Sequence, residues 1–342
     1  MFAKKSMKLS ASIKKNIIKT VVGGVTNVSS GTSRRYTLFF EDVFSDYIKL
    51  CEESGYSDNI RLVGKKWMNL VMNKHFSGVI SKMPVEFFLN NFMKEMWIQL
   101  GLMSDFKLKK KSNRLIIETL DEGLSRKINA NNLMIGFYEG IMNVVYGHEC
   151  QLVEANQSLH RCSYVFDLSD ERFIPLKSKD KDEYNKLNKI SGGYGFTLEN
   201  AFQKNIFMLQ ENNDILFRGK TMSPVECTLF HLLGNENLII DELSNISTCF
   251  FSEVIKLDAG EEKLIYLLKN LFQFMGWGVY RFILDSKEIT MNITAPPYGL
   301  QKEPDNWITL IYTLLGYLRT FRPYLTVDEL ENKNKKIRVV FN

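Results

Sequence analysis

Leu133-Met134-Ile135-Gly136-Phe137-Tyr138-Glu139-Gly140-Ile141-Met142-Asn143-Val144-Val145-Tyr146-Gly147 decides how this chain is read. Met134, Phe137, Ile141, Val144 and Val145 recur at helical spacing, and Gly147 stops the pattern. Gly136 and Gly140 lie one turn apart, leaving a shallow strip where another backbone can approach closely. The period then changes from helical to alternating. His148-Glu149-Cys150-Gln151-Leu152-Val153-Glu154 and His160-Arg161-Cys162-Ser163-Tyr164-Val165-Phe166 flank the polar turn Ala155-Asn156-Gln157-Ser158, which is hairpin chemistry.

Working back from this helix and hairpin, three helical patterns precede them. Leu38, Phe39, Val43, Phe44, Tyr47, Ile48 and Cys51 mark the first, and Leu62, Val63, Trp67, Leu70 and Val71 the second. Pro84 begins the third, which carries Val85, Phe88, Leu89, Phe92, Met96, Trp97 and Leu100 and stops at Gly101. Between them and the organising helix, Phe106-Lys107-Leu108-Lys109 and Arg114-Leu115-Ile116-Ile117-Glu118 make a first hairpin. Ahead of all this, residues 1–35 carry eight Lys and Arg and a Gly/Ser/Thr-rich run, and read as a basic flexible tail. Residues 12–22 also fit a short basic amphipathic helix on an anionic surface.

Beyond the second hairpin, residues 169–196 lose periodicity and have linker composition. The order then broadly repeats over 197–342. An added hairpin at Asn205-Ile206-Phe207-Met208-Leu209 and Ile215-Leu216-Phe217 is followed by helical patterns over 225–233 and 238–251. A stripe of Leu264, Leu267, Leu268, Leu271, Phe272 and Met275 comes next. A hairpin over 280–293, a helix on Trp307, Leu310, Ile311, Leu314, Leu315 and Leu318, and two strands at 325–327 and 337–341 complete the chain. Laid on each other, Arg114 to Thr119 sits opposite Glu288 to Ile293, the Gly140 helix opposite the Gly316 helix, and Cys162 to Phe166 opposite Ile337 to Phe341. That ordered set is read as a diverged internal duplication.

Composition bounds the function. The 342 residues are 45% apolar and 24% charged, ordinary for a globular chain with room for two cores. The formal charge of +5 collects near the N-terminus and specifies no nucleic acid partner. No stretch is long and apolar enough to span a bilayer, so no integral membrane segment is expected. Cys51, Cys150, Cys162, Cys227 and Cys249 are odd in number and loosely spaced, which predicts free thiols and a cytoplasmic location. No phosphate loop, nucleophile elbow or zinc-protease motif is present, so the expectation is a protein that is not an enzyme.

The helix with its Gly-Phe-Tyr-Glu-Gly core, and the closing hairpin ending Cys162-Ser163-Tyr164-Val165-Phe166, resemble the 4-vinyl reductase domain. That family is similar in fold to the small subunits of the TRAPP vesicle-trafficking complex. The resemblance covers residues 36–168 and, in a more degenerate form, 197–342. It implies two tandem α+β domains, each with helices against an antiparallel sheet and an apolar pocket between them. Phe92, Trp97, Phe106, Phe137, Tyr138, Tyr146 and Tyr164 fall on the elements that would enclose this pocket, where they suit a flat or chain-like hydrophobic molecule. A filled core uses the same residues equally well.

Family members often hold zinc with two cysteines on the last hairpin. Cys162 matches the final one, Glu154 stands in place of the other, and Ile337 replaces Cys162 in the second copy. From the residues alone, His148 with Cys150 and His160 with Cys162 each share a strand face, and an even register would converge them on zinc. Ordinary strand residues are the competing reading. The functional expectation is a sensor that binds a small hydrophobic molecule and acts through an unknown protein partner. The alternative is a structural or assembly module with protein-binding surfaces like those of trafficking-complex subunits, and a reductase-associated protein stands third. The apolar stripes of both halves exceed what one small sheet covers, which predicts that the halves dock as an intramolecular pseudo-dimer.

Overall fold

The computed structural model describes residues 18–21, 24–27, 36–80, 82–178, 198–212, 214–255, 260–294, 296–333 and 336–342. The expectations for most of the 1–35 tail and for the linker from 179 to 196 lie outside the described residues. Within the tail, β1 (Ile18–Val21) and β2 (Gly24–Asn27) pair antiparallel, so residues 18–21 are a strand and not part of the short helix that 12–22 also fitted.

The first half opens with β3 (Tyr36–Phe40), which runs directly into α1 (Glu41–Glu53), and α2 (Ser57–Ile80) follows. Helix α3 spans 85–99 and begins just after Pro84, where a missing N–H costs nothing. Its middle turn, Phe88–Met93, is π-helical. β4 (Asp105–Lys111) and β5 (Arg114–Leu120) form the first hairpin, and short α4 (Ser125–Ile128) leads to α5 (Asn132–Tyr146). Asn131 caps α5 by accepting from the Met134 amide at 2.9 Å, and Gly147 ends it at φ 69°, a conformation that glycine adopts without Cβ strain. β6 (His148–Asn156) and β7 (Arg161–Arg172) close the half.

The second half holds α6 (Leu198–Gln203), β8 (Met208–Leu209), β9 (Ile215–Phe217), β10 (Lys220–Glu226), α7 (Thr228–Glu236), α8 (Ile240–Val254) and α9 (Glu261–Met275). β11 (Val279–Leu284), β12 (Ile289–Thr294), α10 (Ile308–Arg319), β13 (Val327–Lys333) and β14 (Lys336–Phe341) follow. The class is α+β, with three antiparallel sheets among the described residues. The two four-stranded sheets run β4-β5-β7-β6 and β11-β12-β14-β13, the same order from corresponding elements. The six-stranded sheet runs β1-β2-β3-β10-β9-β8 and joins the halves at β3 and β10.

Two strands differ from the sequence reading. Leu38 and Phe39 lie in β3, and Val225 in β10, where helices were expected. Residues 37–40 of β3 and 222–226 of β10 are buried without alternation because both faces are covered, so neither strand shows a period of two. They pair with each other from Phe40↔Met222 to Tyr36↔Glu226. β7 also extends to Arg172, four residues past the expected edge of the domain at 168.

The glycine strip on α5 is used within the half. A Cβ on Gly136 would lie 1.9 Å from the Arg61 carbonyl oxygen, and one on Gly140 would lie 2.4 Å from that of Lys65, so α2 and α5 touch backbone to backbone. Gly316 on α10 repeats the Gly140 contact. Its Cβ would meet Ser244, Ser247 and Thr248 at 2.6, 2.3 and 2.9 Å, the same relative positions on α8 that Lys65, Met68 and Asn69 hold on α2.

Candidate functional site

Five of the seven residues expected to wall a pocket pack against one another. Trp97 on α3 meets Phe106 on β4 edge-on at 4.9 Å and Phe137 on α5 at 5.8 Å. Phe137 meets Tyr138 at 5.1 Å, and Tyr138 meets Tyr164 on β7 at 4.7 Å. The aromatic run therefore fills the space between helices and sheet. Phe92 lies apart, partly exposed against Phe76 and Phe88. Tyr146 also lies apart: its hydroxyl donates to Glu86 at 3.1 Å, and the Lys110 ammonium sits 5.0 Å from its ring.

At the end of this run lies a residue the sequence reading missed. Glu122, 1% exposed, accepts four hydroxyl donors: Thr119 at 3.0 Å, Tyr138 at 2.5 Å, Ser125 at 2.6 Å and Tyr164 at 2.6 Å. Gln157 donates to the Tyr164 oxygen at 2.9 Å, and Asn131 donates to Ser125 at 3.0 Å. One buried carboxylate thus ties together the end of β5, α4, the middle of α5 and β7. Burial, followed by the neighbouring Glu122 charge, pushes the phenols of Tyr138 and Tyr164 well above the ordinary tyrosine range, so both remain proton donors. Its carboxylate oxygens and all four donors are mutually engaged, which makes the cluster a rigid buried junction. In sequence, Asp121-Glu122-Gly123 looks like turn chemistry, and only the packing of α5 and β7 over it shows otherwise.

The four proposed zinc ligands do not converge. Cys150 pairs with Leu168 and His148 with Arg172, whereas Cys162 pairs with Thr119 on the other side of β7. Leu168 lies six positions along β7 from Cys162, roughly 20 Å of strand. Each His-Cys pair sits at the start of its strand, and antiparallel pairing sets the start of one strand against the end of the other. His160 is largely exposed, 3.4 Å from Asp121. Glu154 lies opposite Val165. Among the described residues no group of three or more His, Cys, Asp or Glu is placed to hold a metal ion, so the residues present do not fit the zinc that the resemblance implies. Burial raises the Cys150 thiol to about 12, which leaves it protonated and inert at neutral pH.

The seam between the halves is the other constructed feature. Phe39 stacks on Phe230 at 4.9 Å and on Trp277 at 5.4 Å, while Phe40 reaches Phe250 at 4.7 Å. Buried polar groups are paired across it. Trp277 donates to the Leu38 carbonyl at 2.8 Å, Tyr47 to that of Leu238 at 2.6 Å, and Trp67 to Glu226 at 3.1 Å. Arg126 binds both Glu41 and, at 3.3 Å, Asp214. An apolar cavity of about 60 Å³ remains among Phe39, Phe44, Trp67, Leu102, Phe137 and Val225, and a second of about 20 Å³ adjoins it at Trp67, Leu102 and Phe137. An engineered cavity that takes benzene measures about 150 Å³, so neither holds a pigment or an acyl chain as it stands. A wider cleft of about 850 Å³ opens at the seam between Lys66 and Glu236 on one side and Gln301, Trp307 and Leu330 on the other.

No protein-family model matches the chain, and no curated protein does. The 4-vinyl reductase resemblance therefore rests on the residues quoted for it. Among solved structures the chain is similar to trafficking protein particle complex subunit 3 from Naegleria fowleri, crystallised covalently bound to palmitic acid. The match has 14% identity and a TM-score of 0.22, over 40% of this chain and 87% of that one, a level that carries no argument about function.

Proposed function

We propose that this protein is an assembly module: two diverged copies of one α+β unit, 36–168 and 197–342, docked as an intramolecular pseudo-dimer that offers its outer surfaces to a protein partner in the cytoplasm. The observation that carries the reading is the seam, where β3 and β10 pair and each half completes the other's core. The equal order of elements and strands in the two halves supports the repeat. The packed aromatic run from Trp97 to Tyr164 supports a structural role over a ligand site. Fragments 36–172 and 198–342 should each be poorly soluble alone and should recombine on mixing; two well-behaved monomers with no mutual affinity would sink the pseudo-dimer.

The second reading, a sensor of a small hydrophobic molecule, draws on the apolar cavity at the seam, which a larger occupant would have to widen. Native mass spectrometry of the gently extracted full chain separates the two readings. Bare protein mass is expected for an assembly module, and a stoichiometric apolar adduct would favour the sensor.

A further inference from the structure

The two four-stranded sheets leave four outer strands, β4, β6, β11 and β13, each with one side unpaired within its sheet. Such an edge is a template for another chain, and natural sheets blunt it with charge, with bulges or with cover. Three of the four are blunted. β4 carries exposed Lys107, Lys109, Lys110 and Lys111. β6 breaks register twice against β7, and β13 breaks register once and is lined by Asp328, Glu329 and Glu331. β11, which holds in the second sheet the place β4 holds in the first, is covered at its start, where the Tyr280 amide donates to the Gln273 side-chain oxygen at 3.0 Å, and carries no bulge or charge cluster beyond it. It pairs with β12 in unbroken register, and Arg281 is its one charge. Ile283 is 64% exposed and Leu284 40%.

The backbone indicates what could cover it. Asp285 donates its amide to the Glu288 carbonyl at 2.9 Å, so by strict alternation Arg281 and Ile283 bond inward to β12. Phe282 and Leu284 then turn their N–H and C=O groups to the open edge, while the Tyr280 amide on the same side is taken by the Gln273 side-chain oxygen. An antiparallel strand in hydrogen-bonding register must set Phe282 or Leu284 against a residue of the same kind. A second β11 centred on Ile283 meets that condition. It brings Phe282 against the other copy's Leu284, Ile283 against Ile283, and Arg281 against Asp285 at both ends. Arg281 and Asp285 are both exposed; the Asp285 carboxylate accepts from the amide and hydroxyl of Ser286, and Arg322 is a cation near it. The edge is thus self-complementary in backbone phase, apolar contact and charge.

We infer that β11 is a self-association edge, through which two copies of this chain pair antiparallel and join their second sheets into one eight-stranded sheet. The inference goes beyond the proposed assembly role and stands without it, because the halves of one chain meet through β3 and β10.

The test is light scattering on the full chain after size exclusion, over a range of loading concentrations. Wild type should pass from monomer to a defined dimer as concentration rises. Ile283→Lys transplants the β4 type of protection onto β11 and should weaken the dimer about tenfold or more. Arg281→Glu should weaken it too, and Arg281→Glu with Asp285→Lys should restore it. The charge swap involves two exposed side chains, so it remains informative even if the lysine variant folds poorly. A wild type that stays monomeric throughout, one that forms aggregates without a defined dimer, or a dimer indifferent to Ile283→Lys and to the single reversal would each overturn the inference.

Discussion

In the first half α2 and α5 meet through Gly64, Gly136 and Gly140, and the buried polar centre beside them is a carboxylate holding four hydroxyls. In the second half α8 and α10 meet through Gly316 alone, against Ser244 and Ser247, and the buried polar centre is an imidazole. His231 lies with Nδ1 2.9 Å from the Asn306 carbonyl and Nε2 2.7 Å from that of Pro297. Both partners are carbonyl oxygens, and an Asp305 carboxylate oxygen lies 3.9 Å from Nε2. One backbone plan thus tolerates different polar groups at its centre. What it fixes is the distance between the crossing helices.

The sharpest way to break this comparison is at the helix crossings. Gly136→Ala drives a Cβ into backbone and should cost about 3 kcal/mol or more, read as a lowered urea midpoint. Gly316→Ala meets partly side-chain atoms and should cost less; equal losses would mean that the three-glycine crossing is no tighter than the one-glycine crossing.

The polar centre is tested next. Glu122→Ala strips the acceptor from four buried hydroxyls and should cost about 3 kcal/mol, whereas Tyr138→Phe removes a single donor and should cost about 1 kcal/mol. Similar losses from both would show that the carboxylate is not the junction. At the seam, Trp277→Phe leaves the buried Leu38 carbonyl without its indole donor and should cost about 1 to 2 kcal/mol.

The thiols give the smallest signal near neutral pH. Cys51, Cys150, Cys162 and Cys227 are buried and Cys249 is exposed, so a thiol reagent should label Cys249 alone in the native protein. Burial raises Cys51 from 9.0 to about 11 and Cys150 to about 12. A folded-state value above the unfolded one contributes stability that is complete below pH 9.0 and is lost as pH climbs through 11 and 12. The thermal midpoint should therefore fall above pH 9.0, less steeply in Cys150→Ala; a flat alkaline profile would contradict the burial of these thiols.

Much of the secondary structure was legible because its signals are local. The stripe of α5, its stop at Gly147, the alternation of both hairpins and the pairing of 208–209 with 215–217 all arise from neighbours within a few residues. The alignment of Gly140 with Gly316 also fell on equivalent helix contacts. The failures share one cause. β3 and β10 look like helix starts until each is seen covered on both faces. His148, Cys150, His160 and Cys162 look like a ligand set until the antiparallel register carries them to opposite ends of the sheet.

Sequence by itself determined the α+β class, the glycines that admit a backbone, and the aromatic residues available to a core, since each follows from side-chain size, periodicity or conformational freedom. Tertiary structure alone decided that those aromatics fill the core and leave only small cavities, that Glu122 is buried among four hydroxyls, and that β3 binds β10 across 182 positions of chain between Phe40 and Met222. These depend on which surfaces meet, and the free energy of that choice comes from apolar area and buried polar pairs brought together over long loops, which no short window of sequence contains.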